Sequence, residues 1–243
     1  MLDKSKKYKK RDWERLKNPR NEKIIELLNL RQKNITVFMD EVHKPHNLAA
    51  IVRTCDAIGI GDVHAVYPKS VIRECHGTAM GSNRWVTTHT HDNLEVGFEQ
   101  LKSEGKQVLA AHFSEKAVDF REIDYTKPTA VLVGSEKFGV SQSAAELADQ
   151  HIIIPMLGMV QSLNVSVATA IILYEAQRQR TEAGLYNQRQ LSDEECEQLR
   201  FEWLHPKVKT FCQKYKIRYP VIDDDGDIRD PEWDKLRHSI IDR

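Results

Sequence analysis

The chain is poor in cysteine, carries no excess of either charge and contains no long apolar run, and each shortage narrows what it can be. Four cysteines, Cys55, Cys75, Cys196 and Cys212, occur in 243 residues, and no two have C-x-x-C spacing. Neither a zinc site nor a disulfide framework is supported, and the thiols read as reduced and cytosolic. No stretch approaches the roughly 18 apolar residues that span a bilayer, and the basic N-terminus lacks the apolar core of a signal peptide. A cytoplasmic protein without a membrane segment is expected. Lys+Arg and Asp+Glu both number 36, so net charge points to no class of partner. Nucleotide signatures are missing as well. Neither "GIGD" at 59–62 nor "VLVGSEKFGVS" at 131–141 spells G-x-G-x-x-G or a P-loop, which disfavours those modes of phosphate binding.

What is present is an alternation of short apolar runs and helical patterns. Strands are expected at "ITVFMD" (35–40), "VHAVYP" (63–68), "WVTTHT" (85–90), "QVLAAH" (107–112), "TAVLVG" (129–134) and "HIIIP" (151–155). Helical spacing covers 24–32, 47–59, 93–105, 141–150 and 164–184. Strands separated by helices pair in parallel, because parallel neighbours need crossover connections that cover both sheet faces. The expected fold class is α/β, a parallel sheet flanked by helices, with N- and C-terminal helical extensions. Three segments follow: a basic arm and helix over 1–34, the α/β domain over 35–186, and an extension over 187–243. That extension reads as a helical pair broken at Pro206, then an acidic, irregular tail from Pro220 through the Asp223–Asp227 run.

Ligands of open α/β sheets sit beyond the carboxyl ends of the strands, so three junctions stand out. In "EVHKPHNLAAIVRTCDAIG" Asn47 is a plausible N-cap, and Arg53 follows six positions on in an otherwise apolar helix. In "VLVGSEKFGVS" Gly134 ends a strand, with Glu136 and Gly139 in the turn beyond it. In "IPMLGMVQSLNVSVA" (154–168) Gln161, Ser162, Asn164 and Ser166 interrupt an apolar stretch. Burying such groups unpaired costs about 1–3 kcal/mol each, so they need partners; Ser162 or Asn164 capping the next helix accounts for only one.

Taken together, "HKPHN…R", "G-x-E-x-x-G", "DFREIDYTKP", "IPM-x-GMVQSLNVSVA" and "YEAQRQR" resemble the TrmH-type branch of the SPOUT RNA methyltransferases, over residues 30–186. The resemblance implies a C-terminal trefoil knot and the transfer of a methyl group from S-adenosylmethionine to a ribose 2′-hydroxyl of tRNA, at guanosine 18 in the members most like this chain. A ribosomal RNA substrate, or an inactive RNA-binding protein, is the alternative. It implies cofactor contacts at Ala111, Gly134, Ile154, Met156 and Leu163, no metal, and a site formed between the subunits of a homodimer.

By the same resemblance Arg53 binds the target phosphate and stabilises the developing alkoxide, Asn47 orients Arg53 or the ribose, and Glu136 fixes the arginine. Ser162 and Asn164 bridge cofactor and substrate, while Arg31, Lys44, Arg178 and Arg180 grip tRNA. One position departs from the broader N-E-G pattern, where this chain has Ser135. The basic arm, with Lys4, Lys6, Lys7, Lys9, Lys10 and Arg11, is expected to touch RNA phosphates.

Overall fold

The alternation of strands and helices folds into a parallel sheet in a computed structural model that describes residues 18–67 and 84–241. The basic arm and Cys75 lie outside the described residues. The strands are β1 (Ile35–Asp40), β2 (Asp62–Val66), β3 (Thr87–His91), β4 (Gln107–Ala111), β5 (Val118–Asp119), β6 (Thr129–Gly134) and β7 (Gln150–Ile153). They lie in the order β3-β2-β1-β6-β4-β7-β5, and every pairing is parallel. The two-residue edge strand β5 is too short to carry a pattern that sequence could show.

Central strands β1 and β6 are buried at every position, and their side chains alternate between two cores. Ile35, Val37, Met39, Val131 and Val133 face one core with Leu48, Ile51, Val52 and Cys55 of α2 (Pro45–Ala57) and Ile172, Leu173 and Ala176 of α5 (Val165–Glu182). Phe38, Ala130 and Leu132 face the other, with Phe98 and Leu101 of α3 (Leu94–Ser103) and Ala144 and Ala145 of α4 (Gln142–Leu147). Period-two alternation with both faces apolar is what a sheet covered on both sides requires. Helix starts follow capping chemistry: Asn93, Ser141 and Asn164 each accept a backbone N–H of the first turn of α3, α4 and α5. Asn47 does not cap α2; Lys44 takes that position without a side-chain bond, because Pro45 starts the helix two residues earlier.

The chain divides into two compact units, residues 29–191 and residues 1–28 with 192–243. The N-terminal helix α1 (Pro19–Asn29) therefore joins the C-terminal extension, although the sequence pattern places the two in separate segments. Arg20 Nη2 donates to the Trp203 carbonyl at 2.7 Å, and Asn21 bonds both Arg200 and the Asp224 carbonyl. Helices α6 (Asp193–Leu204) and α7 (Pro206–Tyr215) form the expected pair, with a Ser192–Glu195 capping box opening α6. The tail is not irregular throughout. Helix α8 (Trp233–Ile241) follows the acidic turn, with Trp233 buried and edge-on to Phe211 at 5.9 Å. Its apolar positions, Trp233, Leu236 and Ile240, recur at helical spacing that the neighbouring charge run obscures.

Beside Phe38, His64 is buried in β2 with its Nδ1 2.9 Å from His91 Nε2. Burial first, then the neighbouring His89 and His91, hold its pKa down at about 4 from the ordinary 6.5. The unfolded chain takes up this proton first, so the contribution to stability is complete above about 6.5 and declines as pH falls towards 4. The hydrogen bond that His89 donates to the Asp62 carboxylate raises the His89 pKa, which works in the opposite sense at a half-exposed site. Urea unfolding midpoints are expected to fall from pH 7 to pH 5, and His64→Phe to flatten the decline. A variant profile parallel to that of the unaltered chain would remove His64 as the cause.

Candidate functional site

The three junctions picked out in the sequence meet in one cleft. It has a volume of about 1130 Å³ and is walled by residues at and beyond the carboxyl ends of β4, β6 and β7, including Ala111, Gly134, Ile154, Met156 and Leu163. Glu136, Ser162, Asn164 and Lys44 line it as well. All five residues expected to hold a cofactor thus share one wall system, with three of the five expected catalytic side chains beside them.

The turn after β6 is built around Gly134. A Cβ at this position would lie 2.0 Å from the backbone of Gly139 and Val140, so only glycine lets the chain fold back across the strand end. Gly139 adopts a φ of 69°, and its N–H donates to the Ser135 carbonyl at 2.9 Å. Ser135 Oγ accepts from the Phe138 N–H at 3.3 Å. The serine that departs from the broader family pattern closes this turn.

Glu136 is aimed inward by the turn. Its Oε1 accepts from Asn47 Nδ2 at 2.7 Å and from the Lys44 N–H at 3.2 Å, and Asn47 Oδ1 accepts from Asn164 Nδ2 at 3.2 Å. Asn164 Oδ1 in turn takes the Ser166 N–H and hydroxyl at 2.9 and 2.6 Å. Burial pushes the Glu136 carboxyl up, but the Asn47 amide, the backbone N–H groups and His43 outweigh it, and the pKa lies below the usual carboxylate value. The site therefore holds a fixed negative charge at neutral pH. Glu136 Oε2 is buried without a hydrogen bond, and His43 Nδ1 lies 3.5 Å from it. Sequence reasoning passed over His43 and the exposed rings of Phe113 and Phe138 on the cleft wall; the "HKPHN" run was the one signal for the histidine.

Several expectations are corrected by burial. Arg180 is fully buried, donating from Nε to Gln32 Oε1 and from Nη1 to the Tyr125 carbonyl, both at 3.0 Å. Arg31 is buried against Asp56 at 2.7 Å and the carbonyls of Ile60 and Trp85. Both guanidiniums bind the interior of the unit and present no face to a phosphate. Arg178 is exposed but shared between Glu175 and Glu182, each at 2.7 Å. Glu136 bonds Asn47, and no bond joins it to Arg53 of the same chain. Six residues along α2 is roughly 120° around the helix from Asn47, and Arg53 is exposed and does not line the cleft. The 154–168 stretch was expected to be buried, yet Leu157, Met159 and Val160 are 102, 99 and 61 % exposed, and Gln161 and Ser162 face outward with them.

A double-mutant cycle on Asn47→Ala and Glu136→Ala measures the bond at the centre of the site. A coupling energy of about 0.5–3 kcal/mol in urea unfolding is expected for partners in one buried network. Strict additivity would show that the contact contributes nothing in solution.

The SpoU rRNA Methylase family model matches residues 34–174, and the SpoU rRNA methylase C-terminal model matches 178–231. The chain is 50 % identical over 220 residues to the Escherichia coli K12 protein named tRNA (guanosine(18)-2'-O)-methyltransferase, covering 89 % of this chain and 96 % of that one. A Thermus thermophilus protein of the same name is 53 % identical over 185 residues, or 76 % of this chain and 95 % of the relative. Among solved structures, the Aquifex aeolicus TrmH/SpoU tRNA modifying enzyme superposes with a TM-score of 0.71 at 44 % identity, covering 78 % of this chain and 97 % of that one. An AdoMet-bound rRNA methyltransferase from Sinorhizobium meliloti superposes at 0.54 and 32 % identity, covering 63 and 59 %. This is the fold for which the resemblance implied a C-terminal trefoil knot. By sequence and by fold, the chain belongs to the SpoU methylase family, in its TrmH-type branch.

Proposed function

We propose that the chain transfers the methyl group of S-adenosylmethionine to the ribose 2′-hydroxyl of guanosine 18 in the D-loop of tRNA, in the cytoplasm and as a homodimer. The observation that carries this reading is the bonded set Asn164, Asn47 and Glu136 at the edge of a cleft walled by Ala111, Gly134, Ile154, Met156 and Leu163. The cleft suits an adenosine cofactor: apolar side chains flank turns whose backbone groups offer hydrogen-bonding edges. The family model is named for rRNA, but the relatives that match nearly end to end are named for tRNA, which favours tRNA over the ribosomal alternative.

S-adenosylmethionine supplies a methyl group on a sulfonium, already a good leaving group, so the protein's work is to place a weakly acidic hydroxyl in line and stabilise it as its proton departs. Asn47 and Asn164 are fixed by their bonds to each other and to Glu136, which gives the ribose a rigid polar edge. Ser162, exposed on the cleft wall, offers a hydroxyl between cofactor and substrate. A guanidinium with a pKa above about 12 is a poor free base. Arg53 instead binds the target phosphate and stabilises the developing alkoxide, while the proton leaves to water.

The Arg53 side chain has no hydrogen bond or ion pair with any described residue and does not line its own chain's cleft. A second subunit supplies the missing half: Arg53 of one copy serves the cleft of the other, and the exposed Leu157, Met159 and Val160 are covered between them. Lys44, on the cleft wall, and Arg178, once released from its glutamates, contact the tRNA backbone.

Incubation of unmodified tRNA with labelled cofactor is expected to place the label on guanosine 18, and labelling of ribosomal RNA alone would overturn the reading. Arg53→Ala should lower kcat by orders of magnitude and leave cofactor affinity nearly intact. Arg53→Lys should also fail, because a point charge does not reproduce a planar fork. Mixed Arg53→Ala and Asn164→Ala subunits should regain activity that neither has alone; no recovery would mean that each chain uses its own arginine.

A further inference from the structure

The segment that joins β1 to α2 carries a histidine, His43, that neither caps a helix nor packs into a core. Its ring is half-exposed, with Nδ1 3.0 Å from the Glu41 carbonyl oxygen and 3.5 Å from Glu136 Oε2. Both neighbours only accept. A carbonyl has no proton to give and Glu136 is ionised at neutral pH, so Nδ1 carries the ring proton and Nε2 keeps its lone pair. Nε2 has no hydrogen bond with any described residue. The ring is therefore a proton acceptor with its accepting atom open.

Glu136 completes the arrangement. Its side chain is 8 % exposed, and Oε1 is committed to Asn47 and the Lys44 N–H, while Oε2 is buried without a hydrogen bond. A proton gained by His43 turns the 3.5 Å approach into an ion pair and gives that oxygen the partner it lacks, so the carboxylate favours the charged ring. Glu41, whose carbonyl holds the ring from the other side, adopts a φ of 56°. A residue with a Cβ in this left-handed region costs about 1–2 kcal/mol, a strain typical of places where a side chain has to be aimed. Among the described residues, the titratable and charged groups around His43 are Glu136 from the turn after β6 and Glu41, Lys44 and His46 on its own segment.

We infer that His43 is the general base of the methyl transfer, its Nε2 accepting the ribose 2′-hydroxyl proton as the methyl group moves. This rests on the ribose-methylating reading and names the group that takes the proton on its way to water. The O–H bond breaks towards Nε2, the oxygen lone pair forms the bond to the methyl carbon, and the electrons of the C–S bond stay on sulfur as a neutral thioether. The imidazolium is held by Glu136 and returns its proton to solvent through its exposed side. An imidazole with a carboxylate at one nitrogen and a hydroxyl at the other is an established arrangement for this transfer. His43, Glu136, Asn47 and Asn164 then form one line of contacts from solvent to the ribose edge.

The test compares the unaltered chain with His43→Gln and His43→Gly in single-turnover methylation of tRNA as a function of pH, with nitrogen NMR of the histidine rings as a readout independent of activity. The spectra should show His43 protonated at Nδ1 and bare at Nε2. His43→Gln should lower the rate about 10²–10⁴-fold and leave the affinities for tRNA and S-adenosylmethionine nearly unchanged, which also reports that the site is folded. The rate of the unaltered chain should fall about tenfold per pH unit on the acid side, and His43→Gln should lose that limb. In His43→Gly the missing ring leaves an opening to solvent, so added imidazole should restore part of the rate, which a merely structural role would not allow. A proton on Nε2 in place of Nδ1, a rate within a few-fold of the unaltered chain, or an acid limb that survives in His43→Gln would overturn the inference. An unaltered chain that methylates no tRNA would instead sink the functional reading itself.

Discussion

The site depends on one buried carboxylate that must be satisfied. Glu136 sits in a turn with its oxygens shielded from water, and an unpaired group of this kind costs about 1–3 kcal/mol or more. Asn47 and the Lys44 N–H meet one oxygen, and Asn164 holds Asn47 from the other side. These bonds join the segments that follow β1, β6 and β7, which are 117 residues apart at their extremes. The cleft keeps its shape because three separate junctions share one set of hydrogen bonds.

The parallel sheet makes that meeting possible. β1 and β6 lie side by side at its centre, paired from Ile35 with Thr129 to Asp40 with Gly134, so their following segments emerge together. Asp40, buried at the end of β1, takes the Ser141 N–H at 2.7 Å and sets where α4 begins. Gly134 then has to be glycine, since the return of the turn occupies the space of a Cβ. Apolar burial brings the strands together, and a few polar bonds at their carboxyl ends convert that neighbourhood into a binding site.

Positive charge has two uses in this molecule, and burial separates them. Arg31 and Arg180 each turn two or more donor atoms to carbonyls and side chains within their own unit, where a guanidinium spans several acceptors at once, although Arg180 Nη2 is buried without a partner. Burial lowers the Arg180 pKa, and its bonds to Gln32 and the Tyr125 carbonyl make it a tie between α5 and the segments that lead into β1 and β6. Lysines 207, 214 and 216 do the reverse and keep their ammonium groups in water. A basic residue is thus tied into the scaffold or left to water according to what else can reach its donors.

Local pattern settled much of this protein. The apolar runs at 35–40 and 129–134 were legible residue for residue, because both faces of a covered sheet are apolar. Parallel pairing followed from the helices between strands, and a cap at Ser162 or Asn164 followed from their position before an apolar helix, of which the fold uses Asn164. The long 154–168 motif carried the family resemblance, and its Ile154, Met156 and Leu163 line the cleft. Tertiary structure alone decided the rest. Whether Arg31 and Arg180 reach solvent depends on Gln32, Asp56, Ile60, Trp85 and Tyr125, partners scattered along the chain that no local window contains. Asn47 reads locally as a cap; the fold instead joins it to Glu136, 89 residues away, because only packing the sheet's ends together brings an amide to a buried carboxylate. The exposure of Leu157 and Met159 likewise belongs to the folded chain, since hydropathy ranks a residue's preference for burial while the path of the backbone determines whether it is buried.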